Sequence, residues 1–143
     1  MFTSIYHLLN NGTAEEKYAR IPQFPYLIDI ELTNHCNFSC RMCETGMKTS
    51  SRARGYMDKD IYQKILTEAI EHKTSLRFIR WGEPTLHPDW LGYMIEAKKN
   101  GLLVHFNTNG YLLNENQMKI LVEERIDSIK QDSVANDTNT IKK

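Results

Sequence analysis

The stretch YLIDIELTNHCNFSCRMC runs from Tyr26 to Cys43. Its first half alternates, with Ile28, Ile30 and Leu32 on one face and Asp29, Glu31 and Thr33 on the other. A period of two belongs to a strand, so Tyr26 to Asn34 is expected to form one. All three cysteines of the 143-residue chain, Cys36, Cys40 and Cys43, follow at the C-terminal end of that strand. The next segment, KTSSRARG (48–55), is polar and reads as a loop.

Working outward, a helix is expected from Asp58, a good capping residue, with Ile61, Ile65, Leu66, Ala69 and Ile70 as its apolar stripe. SLRFIRW (75–81) reads as a second strand. After GEPTLHP, the residues Leu91, Met94 and Ile95 mark a second helix, with Pro88 at its start and Gly101 past its end. LLVHFNTNG (102–110) reads as a third strand that turns at Asn109-Gly110. Asn114 and Gln117 form a capping box for a third helix, and Leu113 can staple onto Met118. Met118, Leu121, Val122 and Ile126 are the expected buried stripe of that helix. DSIKQDSV (127–134) is a short fourth strand, and ANDTNTIKK (135–143) is expected to fray.

Strands alternating with helices argue for a parallel sheet with helices outside it, in an α/β barrel or doubly wound fold. Sites in such folds lie at the C-terminal ends of the strands. Those ends carry TNHCNFSCRMC, WGEPTLH and NTNGY, so the unusual residues gather where a ligand would sit.

The composition fits one soluble domain. Apolar residues make up 41% and charged residues 25%, and 18 basic side chains balance 18 acidic ones. No basic face advertises nucleic acid. MFTSIYHLLNNG lacks the basic start and apolar run of a signal peptide, and nothing approaches the ~20 apolar residues of a membrane span. A cytoplasmic location is expected. Three cysteines in a reducing compartment point to metal binding or catalysis rather than disulfides.

The loop spacing is Cys36-x3-Cys40-x2-Cys43. Two inorganic readings compete. Zinc wants a closed tetrahedron and would need a fourth ligand such as His35, His87 or His105. A four-iron cluster wants thiolates, and three of them would leave one iron open to a substrate or cofactor.

This cysteine spacing after a first strand, with Gly82-Glu83-Pro84 after the second, resembles the radical S-adenosylmethionine (SAM) superfamily. RGYMD before the first helix and NTNG after the third strand are similar to segments found there. The match covers Tyr26 to Lys130. The resemblance implies a partial (βα) barrel, with about four of the usual six βα units present. It implies a [4Fe–4S] cluster on Cys36, Cys40 and Cys43, whose open iron chelates SAM. One electron then cleaves a carbon–sulfur bond of SAM, and the resulting radical takes a hydrogen atom from the substrate. Met42 falls where relatives place a large apolar residue beside the adenine.

On its own, WGEPTLHP reads as a stiff loop with Glu83 solvated. The family uses Gly-Gly-Glu-Pro at this place to bind the SAM amino group. Gly82, Glu83 and Pro84 match, while Trp81 stands where the first glycine would be and cannot copy its backbone freedom. His105, Asn107 and Asn109 share the strand face expected to line the lumen, with the two asparagines near SAM. His105 is expected to satisfy its polar neighbours, His35 to support the cysteine loop and His87 to serve the turn.

Residues 1–25 are then an N-terminal extension and 26–143 a truncated radical SAM core. The strand-4 segment SIKQDSVAND departs from the family pattern, and Ser133 is left unassigned. The electron donor implied is of flavodoxin or ferredoxin type. The substrate, a peptide or a small metabolite, is not legible. The competing reading is a non-catalytic remnant that binds a cluster or zinc without turnover.

Overall fold

The computed structural model describes residue 7 and residues 10 to 131. Ser133 and the polar segment 135–143 lie outside the described residues, as does the end of the expected fourth strand. A short helix, α1 (Ala14–Ala19), precedes β1 (Leu27–Ile30). The cysteine segment leads into α2 (Glu44–Met47) and then α3 (Lys59–His72). There follow β2 (Ser75–Phe78), a 3-10 turn (Pro84–Leu86), α4 (Trp90–Lys99), β3 (Val104–Thr108), α5 (Glu115–Glu123) and β4 (Ser128–Gln131). The four strands form one sheet in the order β1-β2-β3-β4, and every pairing is parallel. This is the expected arrangement: each strand returns through a helix to lie beside its predecessor.

One face of the sheet is apolar and covered. Ile30, Leu76, Phe78, Val104 and Phe106 pack there against the helices. From α3 come Tyr62, Leu66 and Ala69; from α4, Trp90, Tyr93, Met94 and Ala97; from α5, Leu121. The expected stripes are shifted. Tyr62 is fully buried because its hydroxyl donates to Tyr93 O at 2.6 Å while the two rings stack at 3.9 Å. Burial accordingly pushes the Tyr62 phenol well above its usual range. Ile61 and Ile70 are exposed instead. On α5 only Leu121 is fully buried, while Met118 and Val122 stand 55% and 75% exposed. The capping box of Asn114 and Gln117 forms as read.

The opposite face is polar. Asp29, Arg77, His105 and Ser128 form one row across all four strands. At the N-terminal ends of β3 and β4, Lys98 of α4 holds the buried Asp127 carboxylate at 2.6 and 2.7 Å, and Asp127 also accepts Val104 N at 2.8 Å. That clasp fixes the starts of β3 and β4, so the opposite, C-terminal strand ends are set by the sheet register.

Candidate functional site

The chain between β1 and α3 is folded back on itself. Thr33 bridges Tyr56 in antiparallel fashion, Met57 N donates to Leu32 O at 2.8 Å, and Thr33 Oγ1 donates to Gly55 O at 2.7 Å. Asn34 takes Gly55 N and gives to Ala53 O, both at 2.8 Å. RGYMD therefore pins the far end of the cysteine loop to the end of β1. His35 stacks on Tyr56 at 4.8 Å, which is how it supports the loop. His87 is more than a turn residue: it is buried, with Nε2 on Met57 O at 3.0 Å and Nδ1 accepting Asp89 N at 3.1 Å.

Inside this frame the three half-buried thiols line one hollow of about 330 Å³. Cys36 Sγ accepts Phe38 N at 3.4 Å, and Cys43 Sγ lies 3.9 Å from Trp81 O. Burial is the first cause that pushes the Cys36 thiol up, and the neighbouring Glu83, Cys40 and Cys43 charges push the same way. Gly46 lets α2 lie against the loop: a Cβ there would fall 2.4 Å from Cys40 O and 2.5 Å from Cys40 N.

Gly82 and Glu83 close the hollow from the end of β2. A Cβ on Gly82 would stand 1.8 Å from Thr33 O and 2.9 Å from His35 O. Glycine is required here because two backbone segments touch. Glu83 N donates to His35 O at 2.8 Å and extends the same contact. The Glu83 side chain is 3% exposed, not solvated. Its Oε1 accepts Thr85 N at 3.1 Å and the hydroxyls of Thr85 and Thr108 at 2.7 Å each. Its Oε2 accepts Asn109 N at 2.7 Å. The carboxylate thus ties the ends of β2 and β3 together. A charged acceptor with four donors is well satisfied, which is what permits its burial.

Met42 and Asn109 also line the hollow; Met42 is 78% exposed, and the Asn109 amide donates to Asn37 Oδ1 at 2.8 Å. Two sequence candidates sit elsewhere. Pro84 is buried at the start of the 3-10 turn. Asn107 is buried with Oδ1 on His105 Nε2. Burial, opposed by that hydrogen bond, lowers the His105 pKa from its ordinary value.

The backbone freedom expected of glycine at position 81 is demanded one residue earlier. Arg80 has φ 121°, and Trp81 is not among the residues with positive φ. A side chain at such a φ costs about 1–3 kcal/mol. Arg80→Gly is therefore expected to be more stable than Arg80→Ala by about 1 kcal/mol, the reverse of the order at an ordinary position. Chemical denaturation of the two variants measures the difference.

Three thiols, beside a Glu83 carboxylate already engaged by four donors, suit iron–sulfur chemistry. Among the described residues no three His, Cys, Asp or Glu side chains converge as one metal ion would require. His87 and His105 are engaged by Met57, Asp89 and Asn107, so neither completes a zinc tetrahedron. A four-iron cluster places its cysteines on different irons and asks for no such convergence. A buried amide of the loop, Asn37 Nδ2, lacks a hydrogen-bond partner, as a donor left for a bound group would.

These features define an α/β protein with a cysteine-lined hollow at the strand ends. The chain belongs to the radical SAM superfamily, whose family model matches residues 30–132. Among curated proteins it is 36% identical over 103 residues to the tungsten-containing aldehyde ferredoxin oxidoreductase cofactor-modifying protein of Pyrococcus furiosus. That match covers 70% of this chain and 28% of the relative. The fold is similar to BtrN in complex with AdoMet and 2-DOIA, with a TM-score of 0.71 and 21% identity over 82% of this chain and 49% of BtrN. It is also similar to SuiB of Streptococcus suis bound to S-adenosylmethionine, with a TM-score of 0.63 and 22% identity over 81% of this chain and 26% of SuiB. The chain thus spans less than a third of that curated relative and half or less of these structures. Among the described residues no helix is long and apolar enough to cross a membrane.

Proposed function

We propose that this chain carries the cluster and cofactor site of a radical SAM enzyme, with 26–143 as its core and 1–25 as an extension. The observation that carries the reading is the meeting of three thiols in one hollow, closed by the Gly82-Glu83 contact with the end of β1. Cys36, Cys40 and Cys43 would hold a [4Fe–4S] cluster, and the hollow would take SAM. When bound, these groups supply a one-electron cleavage of SAM that starts hydrogen abstraction from a substrate.

The residues of the chain do the positioning. Gly82 lets the loop after β2 approach the cysteine segment. Glu83 fixes that loop to β3 and so sets where Asn109 stands. Met42 offers an apolar surface to the adenine. Pro84 and the Asn107–His105 pair stiffen the strand ends behind the hollow. A flavodoxin- or ferredoxin-type donor would deliver the electron, in a reducing, cytoplasmic setting. The substrate class is a peptide or a small metabolite; the name of the Pyrococcus relative, a cofactor-modifying protein, supports modification chemistry. The test is anaerobic reconstitution, reduction and assay of 5′-deoxyadenosine. Its release from SAM supports the reading, and its absence from a fully loaded, reduced protein contradicts it.

A further inference from the structure

At the end of β2, Ile79 N still donates to Ile30 O at 3.1 Å, and then Arg80 turns into its strained conformation. Strain of this kind persists where the surrounding structure holds it, and it clusters at ligand sites. Here it aims a side chain. Arg80 Nη2 meets Asp29 Oδ2 at 2.5 Å, and Asp29 also accepts Nε and Nη2 of Arg77 at 2.6 and 2.9 Å. One carboxylate is thus shared by two guanidinium groups. Arg80 is 54% exposed and lines the cysteine hollow, where it is the one cationic residue among the described residues. The other charged lining residue, Glu83, already takes four donors. A guanidinium has five N–H donors in a planar fork, more than a shared carboxylate can occupy.

We propose that Arg80 is an anion-binding residue of the hollow and takes a carboxylate or phosphate of the ligand held there, with Asp29 and Arg77 fixing its position. The proposal rests on the SAM reading above. The same chemistry has two sources, the carboxylate of SAM itself or an anionic group on the substrate.

The test uses reconstituted wild-type protein, Arg80→Gln and Arg80→Lys, with iron content measured first. Equilibrium binding is read for SAM and for decarboxylated SAM, which lacks only the carboxylate. If the source is SAM, Arg80→Gln weakens SAM by about 10- to 100-fold, the worth of a charge-assisted hydrogen bond. It then leaves decarboxylated SAM unchanged, and Arg80→Lys recovers part of the loss. If the source is the substrate, SAM binding is equal in all three proteins. Phosphate or acetate titrated onto the SAM-loaded protein then changes Trp81 fluorescence saturably in the wild type and not in Arg80→Gln. Equal weakening of SAM and decarboxylated SAM would overturn the proposal, because Arg80 would then act on shape alone. Identical binding of all four probes in wild type and Arg80→Gln would overturn it too. Both results leave the iron content intact, whereas a wild type that takes up no iron overturns the SAM reading and this proposal together.

Discussion

Replacing Cys36, Cys40 or Cys43 with Ala is expected to reduce the iron of the reconstituted protein from about four per chain to a small residue. Each substitution alone should do so. The three thiols stand on one loop around one hollow, and the described residues include no other cysteine. Removing one leaves an iron without a protein anchor, and His35, stacked on Tyr56, is not placed to replace it. The folded chain should survive, since all three side chains lie outside the apolar core. Iron and sulfide analysis beside circular dichroism checks both halves. Loss of iron in only one of the three variants would show that the thiols do not act as a set.

Gly82→Ala should be the most damaging single methyl addition in the chain's strand-end loops. The new Cβ would stand 1.8 Å from Thr33 O, and both partners are backbone, so no rotamer change relieves the clash. The loops after β1 and β2 must separate. The hydrogen bond from Glu83 N to His35 O then breaks, and the buried Glu83 carboxylate is pulled from its donors. We expect a cost of about 3 kcal/mol or more, a fall of about 10 °C in thermal midpoint, and reduced iron uptake. Gly92→Ala is the control. Gly92 lies in α4 with nothing within 4 Å of its absent Cβ, so alanine there should stabilise by about 0.5–1 kcal/mol. Equal effects at the two positions would contradict the packing described.

The sheet was legible because parallel strands joined by helices leave a plain trace: period-two runs, capping residues, and apolar stripes between them. The Asn114–Gln117 box and the alternation of Val104 and Phe106 against His105 and Asn107 are local signals, and local structure obeys them. The stripes were less legible. Tyr62, Trp90 and Tyr93 fill the core because their polar groups or rings find partners there, which an apolar count does not register. Met118 and Val122 have helical spacing but face solvent, because the core reaches α5 mainly through Leu121.

At the site, residue types were readable and their geometry was not. Nothing in WGEPTLHP distinguishes a solvated Glu83 from one that gathers donors from two loops. The donors Thr108 and Asn109 lie at the end of another strand and just past it, 25 and 26 residues away. Arg80 was missed because arginine gives no sign of a positive φ; only the fold imposes it. Asp29, Arg77 and Arg80 would have been found by noting opposite charges on adjacent strands once the register was known.

Under the proposed function, the three thiols would hold a four-iron cluster with one iron open to SAM. The most direct measurement is the electron paramagnetic resonance spectrum of the anaerobically reconstituted, reduced protein, recorded without and with saturating SAM. The expected result is the signal of a reduced [4Fe–4S] cluster that changes when SAM is added, because the amino acid end of SAM would ligate the open iron. A reconstituted protein with no such signal, or a cluster signal that SAM leaves unchanged, would contradict it.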